Sequence, residues 1–290
     1  MNAKRKDKWI PYLFILPFLI SYVLFFLFPA SYSFVLSFFR YRGYGNALFV
    51  GFGNYLNLIK YPTMWSTLFN TFFYFLMHFA PVMVLSFMLA VVVRSKGIRK
   101  YQNFYKPIIF MPQVCASVAA ALVFKIIFGQ KVGVINQFLG TEIPFLTDMN
   151  FMKWPVVMLL IWRSIGWYFV IFLSGLTTIG EEIEDASAID GVNSIQSLIY
   201  IIIPLMKPIF MFAFITNAIG ALKLYTEPNL LLGQGASQGP IQAMPYSNLI
   251  ITNIQSGNFG MAAAAGWILV VVILVITLGQ LKLFKGGEAN

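Results

Sequence analysis

Five of the chain's ten acidic side chains fall within ten residues, at Glu181, Glu182, Glu184, Asp185 and Asp190. Acid–base or metal chemistry would need further groups, and the sequence does not supply them. The single histidine, His78, and the single cysteine, Cys115, lie alone in apolar runs, and no acid pair lies inside one. No catalytic or metal-binding set is therefore expected; His78 reads as a satisfied interhelical polar group and Cys115 as a packed core thiol. The acidic segment reads as a solvated surface loop or as a docking element. A helix lying on the inner leaflet should be basic because that surface is anionic, so an acidic one suits a protein partner better. Glu181 to Ile189 is a competent short helix with acids in its first turn, and Gly191 permits the left-handed turn that ends it. Ser194 to Ile203 forms a second short apolar helix that leads to Pro204.

Arg163 is the other chemical anomaly, a charge about 9 residues, or roughly 13 Å, into an apolar run. Trp162, Ser164, Gly166 and Trp167 surround it in sequence. Two readings stay open. Aromatic rings can stack on a sugar while guanidinium donors reach its hydroxyls, or the arginine can snorkel to the outer headgroups among interfacial tryptophans. Trp162 and Trp167 lie about 140° apart around a helix, so both cannot face one ligand squarely.

The elements that position these residues follow from composition: 59% of the chain is apolar, 10% is charged and 30 residues are Phe. That leaves too little polar surface for a soluble globule of this size. Lipid cannot hydrogen-bond peptide groups and the apolar runs are continuous rather than alternating, so the expectation is an all-α membrane protein. Six spans are expected, at Ile10 to Phe38, Leu68 to Val93, Pro107 to Phe128, Trp154 to Thr178, Pro208 to Leu222 (extended backwards by Ile201 to Met206) and Met261 to Leu283. The first apolar run, Trp9 to Phe39, has no charge and no small-residue cleavage site, and reads as a retained span.

Lys4, Arg5, Lys6 and Lys8 precede the first span, and Arg94, Lys96, Arg99, Lys100 and Lys106 follow the second. Retained positive charge marks the cytoplasmic side, which places both termini and the acidic loop inside. The formal charge of +10 sits in these short clusters as a topology signal, and nucleic-acid binding is not expected. Glu227 to Asn258 is too polar to cross and reads as an external loop with some local helix. No soluble domain or internal repeat is visible, so residues 1–290 read as one membrane domain.

At the acidic loop the sequence resembles the inner-membrane permeases of binding-protein-dependent ABC importers, whose motif is E-A-A, three residues, G, nine residues and I-x-L-P. Asp185-Ala186-Ser187, Gly191 and Ile201-Ile202-Ile203-Pro204 keep every spacing, with Asp for Glu at 185, Ser for Ala at 187 and Ile for Leu at 203. Phe49-Val50-Gly51-Phe52-Gly53-Asn54-Tyr55, Asn70-Thr71, Gly133-Val134-Ile135-Asn136 and Ala188-Ile189-Asp190-Gly191 look like the carbohydrate-uptake, maltose and multiple-sugar branch. Tyr225 to Pro240 is a poorer match, lacking that branch's T-x-G-G-P.

The resemblance implies a type I importer permease fold in the bacterial cytoplasmic membrane. It implies a second homologous permease, two ATP-binding subunits, an external solute-binding protein and surrounding lipid as partners, and a sugar or oligosaccharide as cargo. Residues 179–204 would be the coupling loop, docked in a cleft of the ATPase through Glu182, Asp185, Ala186, Ser187 and Gly191, with Pro204 fixing its exit. Cargo contacts would come from Trp162, Ser164 and Trp167, then Thr216, Gly220 and Lys223. Asn217 is added as a polar in-span neighbour and Arg163 from its position. The sequence has no Gly-Lys dipeptide and so no P-loop; ATP and Mg would belong to the partner, and this chain is expected to bind no cofactor. The runner-up cargo is a phosphorylated polyol or another small polar solute. A secondary transporter would need coupling-ion carboxylates inside spans, whereas the acids here cluster in loops.

Overall fold

The computed structural model describes residues 10–95, 97–180, 183, 191–233 and 239–285. The first helix, α1, runs from Ile10–Tyr22 through a π turn at Val23–Leu27 into Phe28–Leu36. A small antiparallel hairpin follows, β1 (Phe39–Arg40) with β2 (Leu48–Phe49), in the register Phe39 to Phe49 and Arg40 to Leu48. This hairpin was not expected in an all-helical chain. The remaining elements are α2 (Gly53–Lys60), α3 (Pro62–Arg94), α4 (Gln102–Val114), α5 (Ser117–Ile127), α6 (Val134–Leu139) and α7 (Lys153–Thr178). They continue with α8 (Ser194–Leu205, containing a π turn at Leu198–Ile202), α9 (Lys207–Leu222), α10 (Thr226–Leu232), α11 (Tyr246–Gln255) and α12 (Phe259–Lys285).

Four of the helices, α1, α3, α7 and α12, are individually long and apolar enough to cross a membrane. The third and fifth expected spans are instead bent pairs: α4 and α5 meet at 89°, and α8 and α9 at 70°. The first break falls at Cys115 and Ala116, whose ψ of 133° takes them out of the helical region. Cys115 is therefore a half-exposed residue at a bend, which corrects its reading as a packed core thiol. The second break falls at Met206, between Pro204 and Pro208. Neither proline has an N–H to donate, so the helical ladder is already broken on both sides of Met206, and Pro208 fits the first turn of α9.

The chain falls into two compact units. One comprises residues 1–64 and 249–270, and the other residues 65–248 and 271–290. In the first, Asn54 donates to the carbonyls of Ser37 and Phe39 at 2.8 and 2.9 Å, and the hydroxyls of Tyr55 and Ser37 meet at 2.7 Å. These bonds tie α2 to the end of α1 and to the hairpin. They give a structural reason for the asparagine and tyrosine of the Phe49–Tyr55 motif.

The second unit has two apolar cores. Tyr74, Phe124, Val156, Leu159 and Met244 belong to one, and Val82, Phe169, Phe172, Leu176 and Met206 to the other. Between helices in lipid the hydrophobic drive is weak, and close backbone packing takes its place. Gly166 shows this directly: a Cβ there would collide with the carbonyl oxygen of Ile109 and come within 2.8 Å of the Phe110 Cα, so α4 crosses α7 backbone to backbone.

Gly166→Leu should consequently force α4 and α7 apart at a cost of about 1–3 kcal/mol or more. Thermal unfolding of the detergent-purified protein should show a lower midpoint. Gly220→Ala, whose Cβ meets nothing within 4 Å, should leave it unchanged.

Candidate functional site

Gly191 stands at φ +76°, in the left-handed region that only glycine enters without strain, and a Cβ placed there would meet no atom of the described residues within 4 Å. Two residues on, Asn193 caps α8 by a reciprocal box: Gln196 N–H donates to Asn193 Oδ1 at 2.8 Å, and Asn193 N–H to Gln196 Oε1 at 3.0 Å. The segment thus turns sharply, starts a capped helix and bends again at Met206 into α9. At the other end of the loop, Arg94 on α3 donates to the Ile179 carbonyl at 2.8 Å and fixes the chain leaving α7. Of the expected coupling residues, Gly191 and Pro204 are placed this way; Glu182, Asp185, Ala186 and Ser187 lie outside the described residues.

Arg163 is held by partners within the chain. Its guanidinium forms an ion pair with Glu227 in the first turn of α10, donates to Ser117 Oγ at 2.8 Å and reaches the Cys115 carbonyl at 3.5 Å. Both charged side chains are only 16% exposed. One side chain therefore gathers α7, α10 and the α4–α5 break. Sequence reading placed Glu227 at the edge of an outer loop and missed the pairing. The available signal was that an interior arginine needs an acid, and among residues 191–290 only Glu227 and Glu288 are acidic.

The other expected pathway residues do not converge on one pocket. Trp162 packs its ring 5.6 Å from Phe124, while Trp167 lies beside Phe110. Ser164 hydrogen-bonds His78 Nε2 at 3.0 Å, and His78 Nδ1 has no partner among the described residues, so that histidine is only half satisfied. Thr216 and Asn217 face the hydroxyl of Tyr168. Gly220 and Lys223 are exposed. A cavity of about 530 Å³ does exist, but Met83, Phe87, Pro204, Phe210, Phe214 and Phe284 line it with Lys207, and so apolar a wall offers little to a polyhydroxylated ligand.

Polar fastening is densest in the loops. Lys153 donates to Asn70 Oδ1 at 2.6 Å, and Asn70 Nδ2 donates to the carbonyls of Ile241 and Met244 at 3.3 and 3.0 Å. Thr71 Oγ1 accepts from the Tyr246 N–H at 2.7 Å, and Tyr74 donates to the Ala243 carbonyl at 2.8 Å. Burial pushes the Tyr246 phenol above its ordinary value, which keeps it a neutral packing group. Asn136, 1% exposed, donates to the carbonyls of Gly129, Gln130 and Ile143 and accepts from Thr141 and the Ile143 N–H. The Asn70-Thr71 pair and the Gly133–Asn136 run are thus loop clasps. Among the described residues no three His, Cys, Asp or Glu side chains group as metal ligands.

Four long apolar helices and two bent pairs, with a capped and sharply turned segment entering one of the bends, are the architecture of a multi-span membrane protein. Residues 50–284 match the family model for binding-protein-dependent transport system inner membrane components, and the chain belongs to that family. It is accordingly a transport permease, not an enzyme, and a multi-pass component of the cytoplasmic membrane. It is 31% identical to the arabinooligosaccharides transport system permease protein AraP of Bacillus subtilis, over 96% of this chain and 90% of that one. It is also 31% identical to the lactose transport system permease protein LacF of Rhizobium radiobacter, over 93% and 92%. In fold it is similar to a chain of the crystal structure of a bacterial alginate ABC transporter in complex with alginate pentasaccharide-bound periplasmic protein, with a TM-score of 0.81, 21% identity and coverage of 95% and 93%.

Removing one member of the half-buried Arg163–Glu227 pair should cost about 1–3 kcal/mol, because the other charge is left without its partner. Arg163→Met and Glu227→Met should each lower the thermal midpoint of the purified protein, and the double variant should recover part of the loss. Equal and additive effects would show that the pair is not coupled.

Proposed function

We propose that this chain is one of two permease subunits of an ATP-driven importer that carries a sugar or oligosaccharide across the cytoplasmic membrane by alternating access. The observation that carries the reading is the segment from Gly191 to α9: a left-handed turn, a capped helix and a 70° bend at Met206, set immediately after the acid-rich window. A bent, rigid element of this kind can transmit displacement from a soluble partner to a spanning helix, which a floppy loop cannot. In this reading the chain is a single permease domain with six spans, each bent pair counting as one, and both termini are cytoplasmic. Residues 179–204 dock on an ATP-binding subunit through Glu182, Asp185, Ala186, Ser187 and Gly191, and Pro204 passes the motion to α9. A second permease, two ATP-binding subunits holding ATP and Mg, and an external solute-binding protein complete the importer.

Sugar is favoured as cargo by the names of the relatives at 31% identity, which concern arabinooligosaccharides and lactose. The sn-glycerol-3-phosphate permease UgpA of Escherichia coli is 26% identical over 99% of this chain, which keeps a phosphorylated polyol as the second reading. Trp162, Arg163, Ser164, Trp167, Thr216, Asn217, Gly220 and Lys223 are the proposed pathway residues, to be assembled against the second permease.

Reconstitution with the partner subunits and binding protein should give ATP-dependent uptake of labelled oligosaccharide and none of glycerol phosphate. Gly191→Val should insert normally yet reduce that uptake to background, since a β-branched residue cannot hold φ near +76°. Wild-type uptake by the variant would refute the coupling role.

A further inference from the structure

The helix α2 joins two spanning helices. It follows α1 and the hairpin, and Tyr61 alone separates its last residue, Lys60, from Pro62 at the start of α3. Both neighbours are long and apolar enough to cross the bilayer, and Trp65, an interfacial residue type, stands in the first turn of α3. Covalent connection therefore holds α2 close to a membrane surface.

The surface of α2 is divided. At about 100° per residue, the capping residue Phe52 and the helical residues Leu56 and Ile59 fall within a stripe about 60° wide. They are 68%, 55% and 48% exposed, although all three are large and apolar. Asn54 and Leu58, on the opposite side, are 5% and 1% exposed. Asn54 and Tyr55 bind the end of α1 and the hairpin, so the helix cannot roll to hide its stripe. The charge of the region is one-sided as well. No Asp or Glu occurs between Asp7 and Glu142, while Arg40, Arg42 and Lys60 are exposed around α2.

We propose that α2 is a membrane-surface anchor whose Phe52, Leu56 and Ile59 sit in the headgroup and upper acyl region of the bilayer, with Arg40, Arg42 and Lys60 meeting anionic lipid phosphates. An apolar stripe beside basic residues is the pattern of a helix lying in the interface. By the orientation proposed above, this is the outer leaflet. The anchor holds the hairpin and the start of α3 at fixed depth.

The test uses the complete transporter, assembled with its partner subunits in nanodiscs of phosphatidylcholine and phosphatidylglycerol. In a Cys115→Ala background, an environment-sensitive fluorophore is placed at Phe52→Cys, Leu56→Cys or Asn57→Cys; Asn57 is exposed and lies well off the stripe. Labels at 52 and 56 should lose most of their emission to lipids carrying a nitroxide near the headgroup and little to aqueous iodide. The label at 57 should show the reverse. Iodide quenching at 52 and 56 equal to that at 57 would overturn the proposal. Shielding of 52 and 56 from both quenchers would overturn it too, since a protein partner would then cover the stripe.

Discussion

A bilayer interior offers no water to a broken hydrogen bond, and that single constraint governs where this chain interrupts its helices. The α4–α5 break leaves the Cys115 carbonyl outside the helical ladder, and the Arg163 guanidinium reaches it at 3.5 Å. A lone arginine would be costly at that depth; Glu227 and Ser117 make it tolerable by taking its charge and a further N–H. The ion pair is therefore best understood as the polar filling of a helix break. Through Glu227 the pair also ties α10, which follows α9 in the chain, to the α4–α5 bend.

The same accounting explains the loops. Asn136 spends its whole amide on five hydrogen bonds within a single turn region, and Asn70 with Lys153 clasps the segment around Met244. Side chains that looked like family markers in the sequence are satisfied within the chain, and so are withdrawn from cargo binding. Among the buried polar atoms without a hydrogen-bond partner in the described residues are His78 Nδ1 and both amide atoms of Asn217, close to Ser164 and Tyr168 on α7.

Hydropathy made the long helices legible, because twenty apolar residues leave a signal that no local detail can erase. Helix α7 matches Trp154 to Thr178 closely, and α12 begins two residues before the expected Met261. The 89° bend at Cys115 left no mark in the apolar composition, whereas Pro204, Lys207 and Pro208 marked the start of the fifth span as irregular without giving the 70° bend at Met206. Pro107 and Pro112 lie inside α4 and do not mark its break. The hairpin at 39–49 escaped because its strands are two residues long, too short for an alternating pattern. Arg163 was found as an anomaly while its partner was not, because Glu227 is 64 residues away and only the fold brings them together. Gly191 was the most informative local feature: its residue type and place in the motif called for a left-handed turn, and φ there is +76°.

The central claim is that the segment before α8 is a lever driven by an ATP-hydrolysing subunit on the cytoplasmic face. Cross-linking from Ser187→Cys, in a Cys115→Ala background and in intact cells, tests it most directly. The account predicts a cross-link to an ATP-binding subunit and no modification by a membrane-impermeant thiol reagent added outside. Modification from outside, with no cross-link to any ATPase, would contradict it.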